Sequence, residues 1–148
     1  MPRPVRVVLA LAGLAVWLAI PPTASAAAPT RAERTLLSAV NGARVSRGLR
    51  PLRFAWPLQD RAHAYARWLM RTDNFVHASS LPPHTRENLA WATSNIASAR
   101  RIVRMWLASP GHRAALLWRA GRRAGVGVAR GSYQGYPDVR VAVLRLRP

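Results

Sequence analysis

The spacing of apolar residues changes once along this 148-residue chain, from a helical period to a strand period. The clearest helical segment has apolar residues three or four positions apart, at Leu58, Ala62, Tyr65 and Leu69. The clearest strand has valine at every second position, at Val139, Val141 and Val143. Helices that precede a small, mostly antiparallel sheet predict a fold of the α+β class.

Turn and cap residues predict where the elements begin. Thr30 and Glu33 match a capping box, in which each side chain bonds to the backbone N–H of the other residue. Pro57 suits the first turn of a second helix that runs to about residue 72. A third helix is expected from Ser94 or Ser98 and a short fourth one after Ser109. Residues 49–56 read as extended, residues 75–85 as a loop, and residues 131–137 as the turn between two C-terminal strands.

The first 26 residues have the pattern of a secretory signal. Two arginines precede fourteen apolar residues, 7–20, and Ala24-Ser25-Ala26 is an A-x-A cleavage site. A membrane span needs roughly 18 consecutive apolar residues, so cleavage is expected, and a retained anchor is the alternative. We therefore expect a secreted or cell-envelope protein with no stable membrane span after cleavage. Residues 27–31 would be a short tail, and residues 32–148 one monomeric domain.

Arginine dominates the charge of the chain. All 23 basic side chains are arginine and only five acids oppose them, so the formal net charge is +18. Loss of Arg3 and Arg6 with the signal leaves +16, a field that attracts anions. The coding bias of a GC-rich genome or selection for an anionic partner could each produce this excess. We favour coding bias as the main cause, with binding of an anionic extracellular or envelope ligand as its consequence. The arginines are scattered rather than gathered in the patch typical of nucleic-acid binders, so specific nucleic-acid binding is not expected. Cysteine is absent, which excludes disulfides and thiol chemistry.

Few residues of this chain are suited to chemistry. No P-loop, G-x-G-x-x-G, H-E-x-x-H or G-x-S-x-G motif is present. Glu87 precedes an apolar run and is expected in a partly buried segment, where its simplest partners are Arg86 or Arg113. His77 begins a loop, and His112 falls in the first turn of the fourth helix, where the helix dipole favours a neutral imidazole. His63 and His84 are expected at the surface. From spacing alone, structural roles outweigh a metal site for all of them.

A succession of short motifs adds a family resemblance. The motifs are Leu36-Leu37-x-x-Val40-Asn41-x-x-Arg44, Leu49-x-Pro51-Leu52, His77, Glu87-Asn88-Leu89-Ala90, Trp106-x-x-Ser109-Pro110-Gly111-His112-Arg113 and Gly125-Val126-Gly127-Val128. In this order they resemble the bacterial branch of the CAP superfamily, the cysteine-rich secretory, antigen 5 and pathogenesis-related proteins. The resemblance implies a three-layer α-β-α sandwich. It also implies a cleft lined by His77, Glu87 and His112, which could hold Zn²⁺ or another divalent cation.

The implied cleft departs from the family pattern in two ways. Eukaryotic members have a second glutamate where this chain has Ser109, so two histidines and one carboxylate remain for an open, water-completed site. The rim residues are Asn88, Ser109, Arg86 and Arg113, and Arg122 and Arg123 also stand where the family has other residues. These arginines could favour an anionic ligand over a metal.

Ser109, His112 and Glu87 are the residue types of a nucleophilic triad. However, Ser109 precedes Pro110 at the position of a helix cap, so we expect its hydroxyl to bond to a free N–H of the fourth helix. The sequence thus favours an extracellular binding domain of the CAP type over an enzyme. Its ligand would be a metal-dependent small molecule, a lipid or an anionic envelope polymer. The alternatives are a metal-assisted hydrolase with Glu87 as general base and, more weakly, non-specific polyanion binding.

Overall fold

A computed structural model describes residues 28–148, so the predicted signal segment lies outside the described residues. The described chain forms, in order, α1 (Arg31–Val45), β1 (Arg53–Phe54), α2 (Trp56–Thr72), β2 (Arg86–Thr93), α3 (Ala99–Ala108), α4 (Pro110–Leu116), β3 (Arg123–Tyr133) and β4 (Tyr136–Arg147). Within residues 28–148, no helix has both the length and the apolar character that crossing a bilayer requires.

The helices begin where the local sequence predicts. The Thr30 hydroxyl accepts from the Glu33 N–H at 3.2 Å, and the Glu33 carboxylate accepts from the Thr30 N–H at 2.7 Å, which completes the capping box of α1. Of the two expected starts of α3, Ser98 is the right one, and its hydroxyl accepts from the Arg101 N–H at 3.2 Å. Pro57 lies in the first turn of α2.

The four strands form one sheet in the order β1-β3-β4-β2. Strand β1 is parallel to β3, and the β3–β4 and β2–β4 pairs are antiparallel. The predicted C-terminal hairpin is confirmed, and Gln134 and Gly135 between its strands both have positive φ, 51° and 79°. Strand β2 was not predicted. Its residues from Glu87 to Ala90 are buried one after another, because both faces of the sheet are covered, so the segment lacks the alternation that marks a strand.

Helices cover both faces of the sheet. On one face, α2 contributes Ala62, Ala66 and Leu69 to a cluster with side chains of β2, β3 and β4. On the other face, α1, α3 and α4 pack against the sheet around Trp106, which is fully buried. The predicted α+β fold, a three-layer α-β-α sandwich, is therefore confirmed.

Two glycines of β3 let α2 lie directly on the strand. A Cβ added to Gly125 would stand 2.1 Å from the carbonyl carbon of Leu58, and one added to Gly127 would stand 2.0 Å from the carbonyl oxygen of Ala62. Such separations are far inside van der Waals contact, so any side chain here would force α2 away from the sheet.

A buried arginine ties α1 to the chain that leads into β3. Arg44 is fully buried and donates to four backbone carbonyls, those of Arg50, Leu116, Trp118 and Gly121. Burial, and secondarily the charge of Arg122, lowers the pKa of Arg44. This network holds the end of α4 and the start of β3 next to the end of α1.

Candidate functional site

Three predicted site residues meet beside the edge strand β2. Glu87 lies near the start of β2, His77 in the loop that precedes it, and His112 in the first turn of α4. The ring centroids of His77 and His112 are 6.2 Å apart, with their planes tilted by 45°. His77 Nδ1 lies 2.9 Å from Glu87 Oε1. The structure thus brings together three residues that the spacing of the sequence left apart.

Both carboxylate oxygens of Glu87 already have partners. Oε1 accepts from the Ala78 N–H at 3.1 Å and faces His77, while Oε2 accepts from Arg145 Nε at 2.8 Å. The side chains of Glu87 and Arg145 are only 1% and 7% exposed, so this is a buried ion pair. The expected pairing with Arg86 or Arg113 was wrong, because the register of β2 and β4 places Arg145 directly opposite Glu87.

The Glu87 carboxylate orients the ring of His77. Oε2 accepts from Arg145 and Oε1 accepts from the Ala78 N–H, and His77 Nδ1 lies within hydrogen-bond distance of the same Oε1. This contact turns Nδ1 toward Glu87 and leaves Nε2, the other ring nitrogen, for a ligand. His112 is half-buried, and burial, followed by the neighbouring His77, lowers its pKa. A neutral His112 agrees with the expectation from the sequence, which had argued it from the helix dipole.

These contacts test how a divalent cation would fit. With both oxygens of Glu87 engaged, the donors that remain are two imidazoles, one fewer than the three protein ligands of a typical catalytic zinc site. No three His, Cys, Asp or Glu side chains in the part of the chain that the structure describes are arranged to hold a metal ion. The residues do not fit a three-ligand zinc centre, and a metal in this cleft stays a prediction. Glu87 orients His77 instead.

The predicted rim residues have different surroundings. Arg86 is exposed, and its guanidinium carbon lies 4.5 Å from the centre of the Trp118 ring. Asn88 is fully buried beneath the rim and donates to the His112 carbonyl at 2.9 Å, which fixes α4 to β2. Arg113 is exposed and donates to the Leu107 carbonyl at 3.4 Å.

Ser109 stands at the N-cap of α4 with extended backbone, as expected, but its hydroxyl makes no capping hydrogen bond. That part of the prediction was wrong. The family resemblance predicted Arg122 and Arg123 near the cleft. They line a different cavity instead, together with Arg50 and Arg53.

A cavity adjoins each histidine. His77 lines one of about 450 Å³, where Tyr65 and Trp68 stack at 5.4 Å and Ser79 and Ser80 add hydroxyl groups. His112 lines a smaller cavity of about 210 Å³, whose other lining side chains are apolar or aromatic. The others are Phe75, Leu89, Ala90, Trp91, Met105 and Trp106. The sequence did not assign the aromatic residues to the site, although Phe75, a large apolar side chain in a polar loop two residues before His77, was a usable signal.

One histidine lies in a different environment from the one predicted. His63, expected at the surface, is half-buried, and its Nδ1 lies 2.7 Å from Oε1 of the buried Glu33. Glu33 also accepts from the Val128 N–H at 3.3 Å, so it links α1, α2 and β3. His84 is exposed, as expected.

Comparisons with known proteins agree with this architecture. The model of the cysteine-rich secretory protein family, CAP, matches residues 37–144. An outer surface protein from Borrelia burgdorferi is 24% identical with a TM-score of 0.58, and the match covers 78% of this chain and 92% of that one.

Two further solved structures are similar. An extracellular protein containing an SCP domain, from Bacillus anthracis, is 20% identical with a TM-score of 0.58, over 78% of this chain and 40% of that one. Venom allergen-like protein 4 of Schistosoma mansoni is 12% identical with a TM-score of 0.60, over 81% and 90%. A comparison with curated protein sequences gives no match. At these identities, the solved structures establish the fold alone.

Proposed function

Because this chain belongs to the cysteine-rich secretory protein (CAP) family, we propose that it is an extracellular binding domain whose cleft takes an amphipathic, lipid-class ligand. The extracellular location is supported by the signal-like N-terminus and by the relatives, which include an outer surface protein and an extracellular protein.

The contrast between the two cavities beside the histidine pair carries the proposal. The cavity next to His112 is otherwise lined by apolar side chains and suits an alkyl portion, because burying apolar surface contributes about 25 cal/mol per Å². The cavity next to His77 offers hydroxyl groups beside the stacked Tyr65 and Trp68, which suits a polar head. Apolar walls with a few polar groups that orient the ligand are typical of small-molecule sites.

The side chains of the cleft have distinct roles in this proposal. His77 and His112 hydrogen-bond the polar head, and Glu87 is a positioning residue that fixes the ring of His77. A neutral or anionic head is favoured, because the one carboxylate in contact with His77 is neutralised by Arg145 and the chain as a whole is strongly positive. A general base must place a free oxygen within hydrogen-bond reach of its water, and both oxygens of Glu87 are engaged, so this geometry gives a hydrolase no support.

The test is a fluorescence titration of the purified protein with a dansyl-labelled fatty acid. Phe75→Ala removes an apolar wall of the cleft, and Ile96→Ala is the matched control, because both side chains are large and about half exposed, at 41% and 52%. We expect Phe75→Ala to weaken binding about fivefold to thirtyfold, which corresponds to about 1–2 kcal/mol. Ile96→Ala should change it less than about twofold.

Equal effects of the two substitutions, or no saturable binding, would refute the proposal. A parallel titration contains a chelator and then added zinc. Binding that disappears with chelator and returns with zinc would replace the proposed site with a metal-dependent one.

A further inference from the structure

Four arginines line one cavity of about 590 Å³ away from the histidine cleft. Arg50 lies in the α1–β1 connection and Arg53 in β1. Arg122 directly precedes β3 and Arg123 is its first residue; Pro51 and Pro148 complete the lining. The two pairs are about seventy residues apart in the chain, so the cluster arises only from the fold. We call it the arginine cavity.

Strand register places like charges side by side in this region. The parallel pair β1–β3 sets Arg53 opposite Arg123, and the antiparallel pair β3–β4 sets Arg147 opposite the same Arg123. Three arginines therefore form one row across three neighbouring strands. Like charges directly opposite each other destabilise a sheet. Arg53 and Arg123 are exposed, so packing of the protein interior does not explain why arginine stands at these two positions. Departures from such folding rules are expected where function demands them.

No side-chain carboxylate of the described chain forms a salt bridge with the arginines of this cavity. In the described chain, the salt bridges involve Glu33, Glu87 and Asp138, and none of the four arginines takes part in one. Arginines that line one cavity without a side-chain counter-charge attract an anion.

Backbone oxygens hold two of the guanidinium groups in position. Arg122 Nη1 donates to the carbonyls of Arg119 and Gly121 at 2.6 and 3.0 Å, and Arg123 Nε donates to the Pro148 backbone oxygen at 3.0 Å. A guanidinium has five N–H donors, so most of them remain for a ligand. Two of the four cations are thus oriented in advance, which lowers the entropy lost when an anion binds.

We propose that the arginine cavity binds a phosphate group carried by a larger molecule. Guanidinium groups bind phosphate through paired hydrogen bonds, and the oxygens of a phosphate can serve several guanidinium groups at once, whereas a carboxylate offers only two. The volume, about 590 Å³, leaves room for the groups attached to the phosphate. The cavity shares no lining residue with the two cavities of the histidine cleft, so this site is independent of the proposed lipid-class ligand.

Calorimetry with pyrophosphate tests the proposal, at about 0.15 M salt, where the screening length is about 8 Å. The site variant is Arg53→Gln with Arg123→Gln. The matched control is Arg71→Gln with Arg104→Gln, which removes the same charge from exposed helix positions. We expect the affinity to fall about tenfold or more in the site variant and less than about twofold in the control. Equal losses in both variants would show that only the overall charge matters and would overturn the proposal, as would the absence of saturable binding.

A second pair of substitutions keeps the test valid if the first variant fails to fold. Arg50→Gln with Arg122→Gln leaves the Arg53–Arg123 strand pair intact and should give the same loss of affinity. His77→Gln should leave pyrophosphate binding unchanged, which separates this site from the histidine cleft.

Two probes distinguish the sources of the phosphate. One is glycerol 3-phosphate in solution, and the other is a vesicle of phosphatidylcholine with or without phosphatidylglycerol. A soluble phosphate ester as ligand predicts that the site variant loses affinity for glycerol 3-phosphate, and a lipid headgroup predicts that it loses vesicle binding. The proposal fails if the site variant and the control behave alike with both probes.

Discussion

Replacing Arg145 with methionine would leave the Glu87 carboxylate buried without its cation. The Arg145 Nη2 to Glu87 Oε2 distance is 2.8 Å, and the two side chains are almost inaccessible to solvent. Removing one partner of a buried ion pair costs about 3–5 kcal/mol. The Ala78 N–H and His77 Nδ1 still donate to Glu87 in the variant, so we expect the lower end of that range, about 3 kcal/mol. For a domain of this size the unfolding temperature should fall by about 10 °C.

The measurement is urea unfolding followed by far-ultraviolet circular dichroism. Arg130→Met is the matched control, because its ion pair with Asp138 is as short, 2.7 Å, but the two side chains are 62% and 48% exposed. Exposed pairs contribute about 0–1 kcal/mol, so the control should lose no more than that. The double variant Glu87→Gln with Arg145→Met has no unpaired charge and should recover most of the lost stability.

Two results would refute this reasoning. One is a loss in Arg145→Met no larger than the loss in Arg130→Met. The other is a double variant no more stable than Arg145→Met alone, which would mean that packing of the Arg145 stem on Tyr65, where the guanidinium carbon lies 4.7 Å from the ring centre, outweighs the charge.

Three further predictions concern packing, hydrogen bonding and protonation. Gly127→Ala should lower the free energy of unfolding by about 3 kcal/mol, because the new Cβ would overlap the backbone of α2. Gly42→Ala should raise it by up to about 1 kcal/mol, because the new Cβ in α1 meets open space. Urea unfolding that ranks the two variants the other way would contradict this. Arg44→Met should cost more than about 3 kcal/mol, since four hydrogen bonds to backbone carbonyls are lost; a thermal unfolding shift close to zero would show that water replaces the guanidinium. The pKa of His112 is lowered in the folded protein. When the pH drops below about 6.5, the ordinary pKa of histidine, the unfolded chain therefore binds more protons than the folded one, and stability decreases as the pH decreases. Wild type should therefore lose more stability than His112→Gln between about pH 7 and pH 5 in paired urea titrations, and parallel curves would count against it.

Much of the fold could be predicted because its signals are local. The partners in a helix cap or a tight turn lie within a few residues, as with Thr30 and Glu33 or with the turn at Gln134 and Gly135, so the residue types alone reveal them. Strand β2 could not be predicted, because helices cover both faces of the sheet and the alternation of apolar and polar residues disappears where both faces are buried.

The candidate site was predicted in part. Spacing left His77, Glu87 and His112 as separate residues, and the family resemblance is what pointed to their meeting. Their partners came from the structure, because Arg145 lies 58 residues from Glu87 and only the pairing of β2 with β4 sets them opposite each other.

The sequence by itself determined the starts of α1, α2 and α4, the terminal hairpin, the absence of thiol chemistry and the strongly positive charge. All of these depend on residue types or on neighbours in the chain. Only the tertiary structure decided that Glu87 is neutralised by Arg145, and that arginines scattered along the chain meet in one cavity. The physical reason is that strand register is set by the burial of whole sheet faces, and a shift of one residue would turn every side chain to the opposite face. Electrostatic partners across strands are a consequence of that register, so no local sequence pattern predicts them.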